Sequence, residues 1–465
     1  MFALAGCTPS YSTERNTATP TSQSSPNTID SLLQNRPFYI AHRGSGDNWP
    51  EHTAIAYRKA IASGATAIEI SVNATSDGVL VCHHDRNTLR MTGQDHEIAE
   101  TEFSVLKTLR NDARQWLGPS SPLEPIPRLR DVLDEHAATS VIFIEDKQGT
   151  NTQALLELMG AYSQSRQHFV WKQPAGALQV RTARNAGYKS WGYFGPSSYA
   201  RIKERAVEFD FLGIDHLASD AVVRRVVATG KPVICWEVHR RSLRDRLVDL
   251  GVRGMMCSNI PYVMNAPISA SRDVFASGLR GAGDLPWTTD RGWSLQPRIQ
   301  REAASLLIAG REISSYCMGS MSPIDRELYE IQLEMRWPVE LPDGPQHAGI
   351  AFGQTNDSPY RVLVKSPVAG YHLVLRANGQ LGLFRRAAGE VSGKPLGQVD
   401  TPPVEPGQWV TLWLNVTQEG IGYARIDQGG RRGFVRSPGT KAGYFSLTKN
   451  YPNGPPIEFR EVSAR

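Results

Sequence analysis

The feature that most restricts how this chain can fold is an alternation, between Phe38 and Met264, of short apolar runs with helical patterns. FYIAH, TAIEISV, SVIFIEDK, HFVWKQ, KSWGYF, FLGID, KPVICWEV and RGMMCS read as strands. TAIAYRKAIAS, TQALLELMGAYS, ALQVRTARNA, DAVVRRVVAT and RSLRDRLVDL between them read as helices. Eight strands alternating with helices over roughly 230 residues predict an α/β chain closed as a (β/α)8 TIM barrel. VLVCHHD adds an extra strand after the second barrel strand. A doubly wound open sheet is the competing arrangement, but no Gly-rich dinucleotide fingerprint follows the first strand.

Beyond about residue 270 the pattern changes to short alternating segments separated by Gly, Pro and Asn. RVLVKS, YHLVLRA, GQLGLFRR, WVTLWLNVT, IGYARID and PIEFREV read as strands with one solvent face, and NG and DQGG as turns. This predicts an all-β jelly-roll sandwich over residues 269–465, after a barrel over 37–268. Residues 1–36 read as tail and tether. They open MFALAGCTPS and continue in a Ser/Thr/Pro/Asn tract. LAGC resembles the lipobox of bacterial lipoproteins, in which the cysteine is lipidated. Only six residues precede Cys7, so the segment reads as a truncated signal of that type. The expectation is an exported protein, either a cell-envelope lipoprotein or secreted, touching membrane only through a lipid on Cys7.

Lys and Arg are scattered and the formal net charge is +5, with no basic stripe interleaved with aromatics. Nucleic acid is therefore not an expected partner. No run of 18 apolar residues marks a membrane span. The five cysteines lack any CxxC spacing, which argues against structural zinc. Cys82, Cys235 and Cys257 lie in strand runs and read as buried thiols.

Barrel sites lie at the C-terminal ends of the strands. The polar residues there are His42, Arg43 and Glu51 after strand 1, Glu69 and Ser71 on strand 2, and His84 and Asp85 closing the inserted strand. Glu145 and Lys147 follow on strand 3, Lys172 on strand 4, and Glu237 and His239 on strand 7. So many charges on one rim are costly unless they pair or bind an ion.

HRGSGDNWPEHTAIAYRKAIASGATAIEI, the TSDGVLVCHHD run, IEDK and GMMCSNIP together resemble the glycerophosphodiester phosphodiesterase family, across residues 38–264. The resemblance implies metal-assisted hydrolysis of glycerophosphodiesters or related phospholipid head groups. His42 and His84 match the family's proton-transfer pair, a role imidazole suits near neutral pH. Arg43 suits phosphate oxygens through its planar fork, and Lys147 adds a point charge on the same phosphate. A divalent cation, Ca²⁺ or Mg²⁺, is implied on Glu69 and Glu145.

The family's third ligand, an aspartate two residues after Glu69, is Ser71 here, a neutral and weaker ligand. Glu51 is the residue placed to compensate. Asp146, adjacent to two inward-facing residues, should point toward the helices. WEVH and SNIP also depart from the pattern, at Glu237, His239 and Asn259. Trp49, Trp171, Trp191, Tyr193 and Trp236 are candidates to line a pocket, with one or two expected to reach substrate. The C-terminal part looks similar to concanavalin-like domains that often bind glycans, although no calcium loop or aromatic platform is obvious in it. The alternative to an enzyme is a surface-bound binding protein, its catalysis weakened at Ser71 and its sandwich holding a glycan.

Overall fold

The computed structural model describes residues 27–266, 268, 270–285, 296–309, 314–361 and 363–465. All eight expected barrel strands form: β1 (Phe38–Ala41), β2 (Ala67–Ala74), β3 (Val141–Asp146), β4 (Phe169–Pro174), β5 (Lys189–Phe194), β6 (Phe211–Asp215), β7 (Val233–Trp236) and β8 (Gly254–Cys257). Each runs parallel to its neighbour, and β1 pairs with both β8 and β2, which closes the ring. The inserted run forms the strand Leu80–Cys82, antiparallel to the end of β2.

The two-residue period of each strand decides what faces the barrel axis. On β2, Ile68, Ile70 and Val72 pack outward with Tyr57 and Leu133 of the surrounding helices, while Ala67 joins the interior. Ile40, Phe143, Val170, Trp191, Phe211 and Met256 fill the floor. Polar side chains on the same inward rows, one or two pleats higher, form the rim.

The expected tether ends earlier than residue 36. Thr28 caps a helix over Ile29–Gln34: its hydroxyl accepts from the Ser31 N–H, and Ser31 Oγ accepts from the Thr28 N–H. Ile29 and Leu32 are buried against the barrel floor. Two apolar residues three apart suffice for that stripe, and the polar tract ahead of them masks it. Cys7 and the lipobox lie outside the described residues. Among the described residues no helix is long and apolar enough to cross a membrane.

Among the described residues the C-terminal part holds two antiparallel sheets, of seven and six strands. Leu333, Leu412 and Phe459 of the first share a core with Ile350, Leu373 and Leu447 of the second. Tyr329–Arg336 alternates buried and half-buried residues along its whole length. RVLVKS is a correction: its described residues form no strand. Leu363 takes a φ of 63° and is 73% exposed, so the apolar run turns through solvent instead of pairing.

The parts meet at a helix end. The helix Arg241–Asp249 has no side-chain cap of its own, and Asp357 of the sandwich accepts from the N–H groups of Arg241 and Ser242, at 2.6 and 3.1 Å. The Tyr262 hydroxyl donates to the same carboxylate at 3.0 Å.

Candidate active site

The rim begins where β1 ends. His42–Gly44 forms a tight turn in which Arg43 has a φ of 52° and Gly44 of 79°. A Cβ at position 44 would lie 2.8 Å from Ala56 Cβ, so the turn admits only glycine there. That geometry directs the Arg43 N–H to Glu69 Oε2 at 2.9 Å.

Glu69 and Glu145 are both buried, and the Lys172 ammonium lies between them. Its Nζ is 2.8 Å from Glu69 Oε1 and 2.5 Å from Glu145 Oε2. Ser71 Oγ donates to Glu69 Oε1 at 3.2 Å. Tyr193 and Lys147 donate to Glu145 Oε1, at 2.7 and 3.3 Å. Burial raises both carboxyls, but Lys172, joined by His42 and His52 at Glu69 and by Lys147 at Glu145, holds both below the usual range, Glu69 well below. For Lys172 burial acts downward, and Glu145 and Glu69 reverse it, so the group stays charged.

His84 occupies the next stretch of rim. Its Nδ1 is 2.7 Å from Asp85 Oδ1, and its Nε2 is 3.4 Å from Lys147 Nζ. Lysine can only donate, so Nε2 accepts and Nδ1 carries the hydrogen toward Asp85. Burial lowers the imidazole pKa, and Arg43 and Lys147 add to this against the opposing Asp85.

On the opposite side a chain of polar groups joins the expected rim residues His42, Glu237 and His239 to Ser258 and Asp47, which the sequence did not single out. His42 Nδ1 is 2.9 Å from Ser258 Oγ and 3.2 Å from Glu237 Oε2. Glu237 Oε2 also lies 3.2 Å from His239 Nε2, and His239 Nδ1 is 3.2 Å from Asp47 Oδ2. Burial opposes charge on His239, but Asp47 and Glu237 prevail and raise it to about 10. Burial likewise raises Glu237, yet His42 and His239 hold it well below the usual carboxylate range. Glu237 thus faces His42.

The structure brings His42, Arg43, Glu69, Ser71, His84, Glu145 and Lys147 onto one rim. Glu51 does not serve as a compensating ligand. Its oxygens are taken by Arg90, at 2.6 and 3.0 Å, and by Arg43, at 3.2 and 3.3 Å. Arg90 carries no motif that could have flagged it. Asp146 points away, as expected, and accepts from the Gly149 and Asn151 N–H groups. Asn259 donates to the Gly283 and Asp284 carbonyls and acts as a brace. Of the aromatics, Trp171 is buried on the outer, helix-facing side of β4 and Trp191 in the floor. Tyr193 and Trp236 meet edge to face at 5.4 Å beside Glu145. The sandwich contains a cavity of about 140 Å³ lined by Tyr360, His372, Phe384 and Arg386, an aromatic surface not evident in the sequence.

These residues do not fit a resident divalent cation. Ca²⁺ keeps its oxygens at about 2.3–2.6 Å. Lys172 Nζ already stands 2.8 and 2.5 Å from the two carboxylates such an ion would need. Among the described residues no group of three His, Cys, Asp or Glu is arranged to hold a metal.

Residues 42–260 match the model of the Glycerophosphoryl diester phosphodiesterase family. The rat Glycerophosphodiester phosphodiesterase 1 is 33% identical over 129 residues, 28% of this chain and 39% of that protein. This chain thus spans about two fifths of the length of that relative. A probable glycerophosphodiester phosphodiesterase 1 of Mycobacterium tuberculosis is 28% identical over 248 residues, covering 48% of this chain and 89% of its own. An Oleispira antarctica phosphodiesterase solved with sn-glycerol-3-phosphate is 21% identical, with a TM-score of 0.44, covering 50% of this chain and 96% of its own.

Proposed function

We propose that the barrel hydrolyses phosphodiesters of the glycerophosphodiester type, or related phospholipid head groups, to a phosphomonoester and an alcohol. One observation carries the reading. His42 and His84 stand on the same rim, linked through Arg43, Glu69, Lys172, Glu145 and Lys147. Hydrolysis needs one group to take a proton from the attacking water and another to give one to the departing alkoxide.

His84, with Nδ1–H on Asp85, is the residue whose Nε2 accepts the water proton as the oxygen bonds to phosphorus. His42, with a carboxylate on its Nδ1, protonates the alkoxide as the P–O bond breaks. Arg43 and Lys147 hold the non-bridging oxygens. A groove of about 630 Å³, lined by Asn73, His84, Arg86, Lys147 and Gln148, offers polar partners to the alcohol.

Hydrolysis of a small panel of glycerophosphodiesters, by wild type and by His42→Ala and His84→Ala, tests this. Each variant is expected to lose about 10²–10⁴-fold in kcat/KM. Full activity in both variants would sink the proposal.

The second reading, a binding protein, draws on Ser71 and predicts saturable ligand binding with no turnover. The aromatic and cationic cavity of the sandwich supports a glycan there, in keeping with a concanavalin-like role. The LAGC motif and the tract after it support an exported protein anchored through Cys7.

A further inference from the structure

We infer that Lys172 takes the place of the divalent cation in this rim, so that the barrel works without a resident metal. The catalytic consequence rests on the hydrolase reading, whereas the metal-binding claim stands by itself.

The two-residue period places Lys172 on the inward row of β4, because Trp171 beside it is packed outward with the helices. On that row its chain can reach only the barrel interior. The ammonium is 7% exposed by residue and lies 5.8 and 5.6 Å from the Trp191 and Tyr193 ring centroids. It has little room to withdraw.

Both oxygens of each carboxylate are engaged. Glu69 accepts from Lys172 and Ser71 on one and from the Arg43 N–H on the other. Glu145 accepts from Lys172 on one and from Tyr193 and Lys147 on the other. A metal would have to share this space with an ammonium it repels. Two carboxylates face two ammonium groups, so the cluster is already neutral when an anionic phosphate arrives.

Ser71 follows from the same arrangement. A third carboxylate would leave a surplus negative charge beside Glu69, whereas a hydroxyl supplies a donor to it. The serine and the lysine are two halves of one exchange, a fixed cation for a bound one. Lys172 is accordingly a positioning residue, acting on substrate through Glu69 and Glu145.

The test titrates chelator-stripped protein with Ca²⁺, Mg²⁺ and Mn²⁺, read by calorimetry and by the thermal midpoint. Wild type is expected to show neither saturable heat nor a shift. Saturable binding abolished by Glu69→Gln would overturn the inference, while binding that Glu69→Gln leaves intact lies elsewhere and agrees with it. Ser71→Asp alone retains Lys172 and should still refuse metal, and tight binding by it would also overturn the inference. The Lys172→Ala and Ser71→Asp pair should gain a midpoint that climbs with the logarithm of metal concentration. If that pair fails to fold, the wild-type and Ser71→Asp titrations decide. Turnover surviving chelation supports the inference, and turnover lost to chelator and restored by Ca²⁺ overturns it. Absence of turnover on every substrate counts against the hydrolase reading alone, and the titrations then decide this one.

Discussion

Glu237 Oε2 lies 3.2 Å from His42 Nδ1, joining the loop after β7 to the turn after β1. The carboxylate orients the imidazole and favours the proton on Nδ1. Glu237→Gln keeps the shape and removes the charge. A hydrogen bond to a charged group contributes about 1.5–3 kcal/mol, so kcat/KM should fall by roughly 10–100-fold. Steady-state kinetics on the best glycerophosphodiester would check this, and an unchanged kcat/KM would remove Glu237 from the proton path.

The pH profile should carry the signature of His84. Burial, aided by Arg43 and Lys147, lowers its pKa below 6.5. As a base it must be neutral, so the acid limb of kcat/KM should fall at a pH below 6.5. Lys147→Met removes one of the charges that lower it and should move the acid limb upward. A limb that stays in place would contradict the contact.

Lys172 bears on stability as well as on charge. Lys172→Met strands two buried carboxylates, and breaking a buried pair in this way costs about 3–5 kcal/mol. Adding Glu69→Gln should restore part of the loss, because contacting residues are coupled. Chemical denaturation of the two single variants and the double variant gives the coupling directly. Additive losses would mean that the ion pair contributes nothing.

His239 predicts an alkaline effect on stability. Its folded pKa is raised to about 10 from 6.5 by Asp47 and Glu237 acting against burial. The stabilisation is fully present below pH 6.5 and is lost as pH rises through 10. The midpoint gap between wild type and His239→Gln should therefore narrow between pH 6.5 and 10. A gap that is constant or widens would refute the charged imidazole.

Asp357 caps a barrel helix from the sandwich. Asp357→Ala should cost about 0.5–2 kcal/mol, the usual value of an N-cap. Calorimetry should also show the barrel transition moving away from that of the sandwich. A single unshifted transition would mean that the cap does not couple the two parts.

Much of the barrel was legible because strand alternation and rim placement are local properties. Each expected barrel strand formed, and Glu69, Glu145 and Lys172 fall on inward rows by the two-residue period. The helix at Ile29 was missed because two apolar residues in a polar tract are a weak signal until a floor exists to receive them. RVLVKS failed for the converse reason, since an apolar run without a pairing edge stays in solvent.

The pairings on the rim were not local. Glu69 and Lys172 are 103 residues apart, and Asp47 and His239 are 192 apart. The loop position of Glu51 suggests a compensating ligand, and its partner Arg90, 39 residues away, carries no local signal of the contact. Sequence alone indicated which strand side chains, Glu69, Glu145 and Lys172 among them, could reach the barrel mouth, since strand register is dictated by peptide geometry. Only the closed ring decided which charges meet there, because a Coulombic partner is chosen by distance in space and the chain does not record that distance.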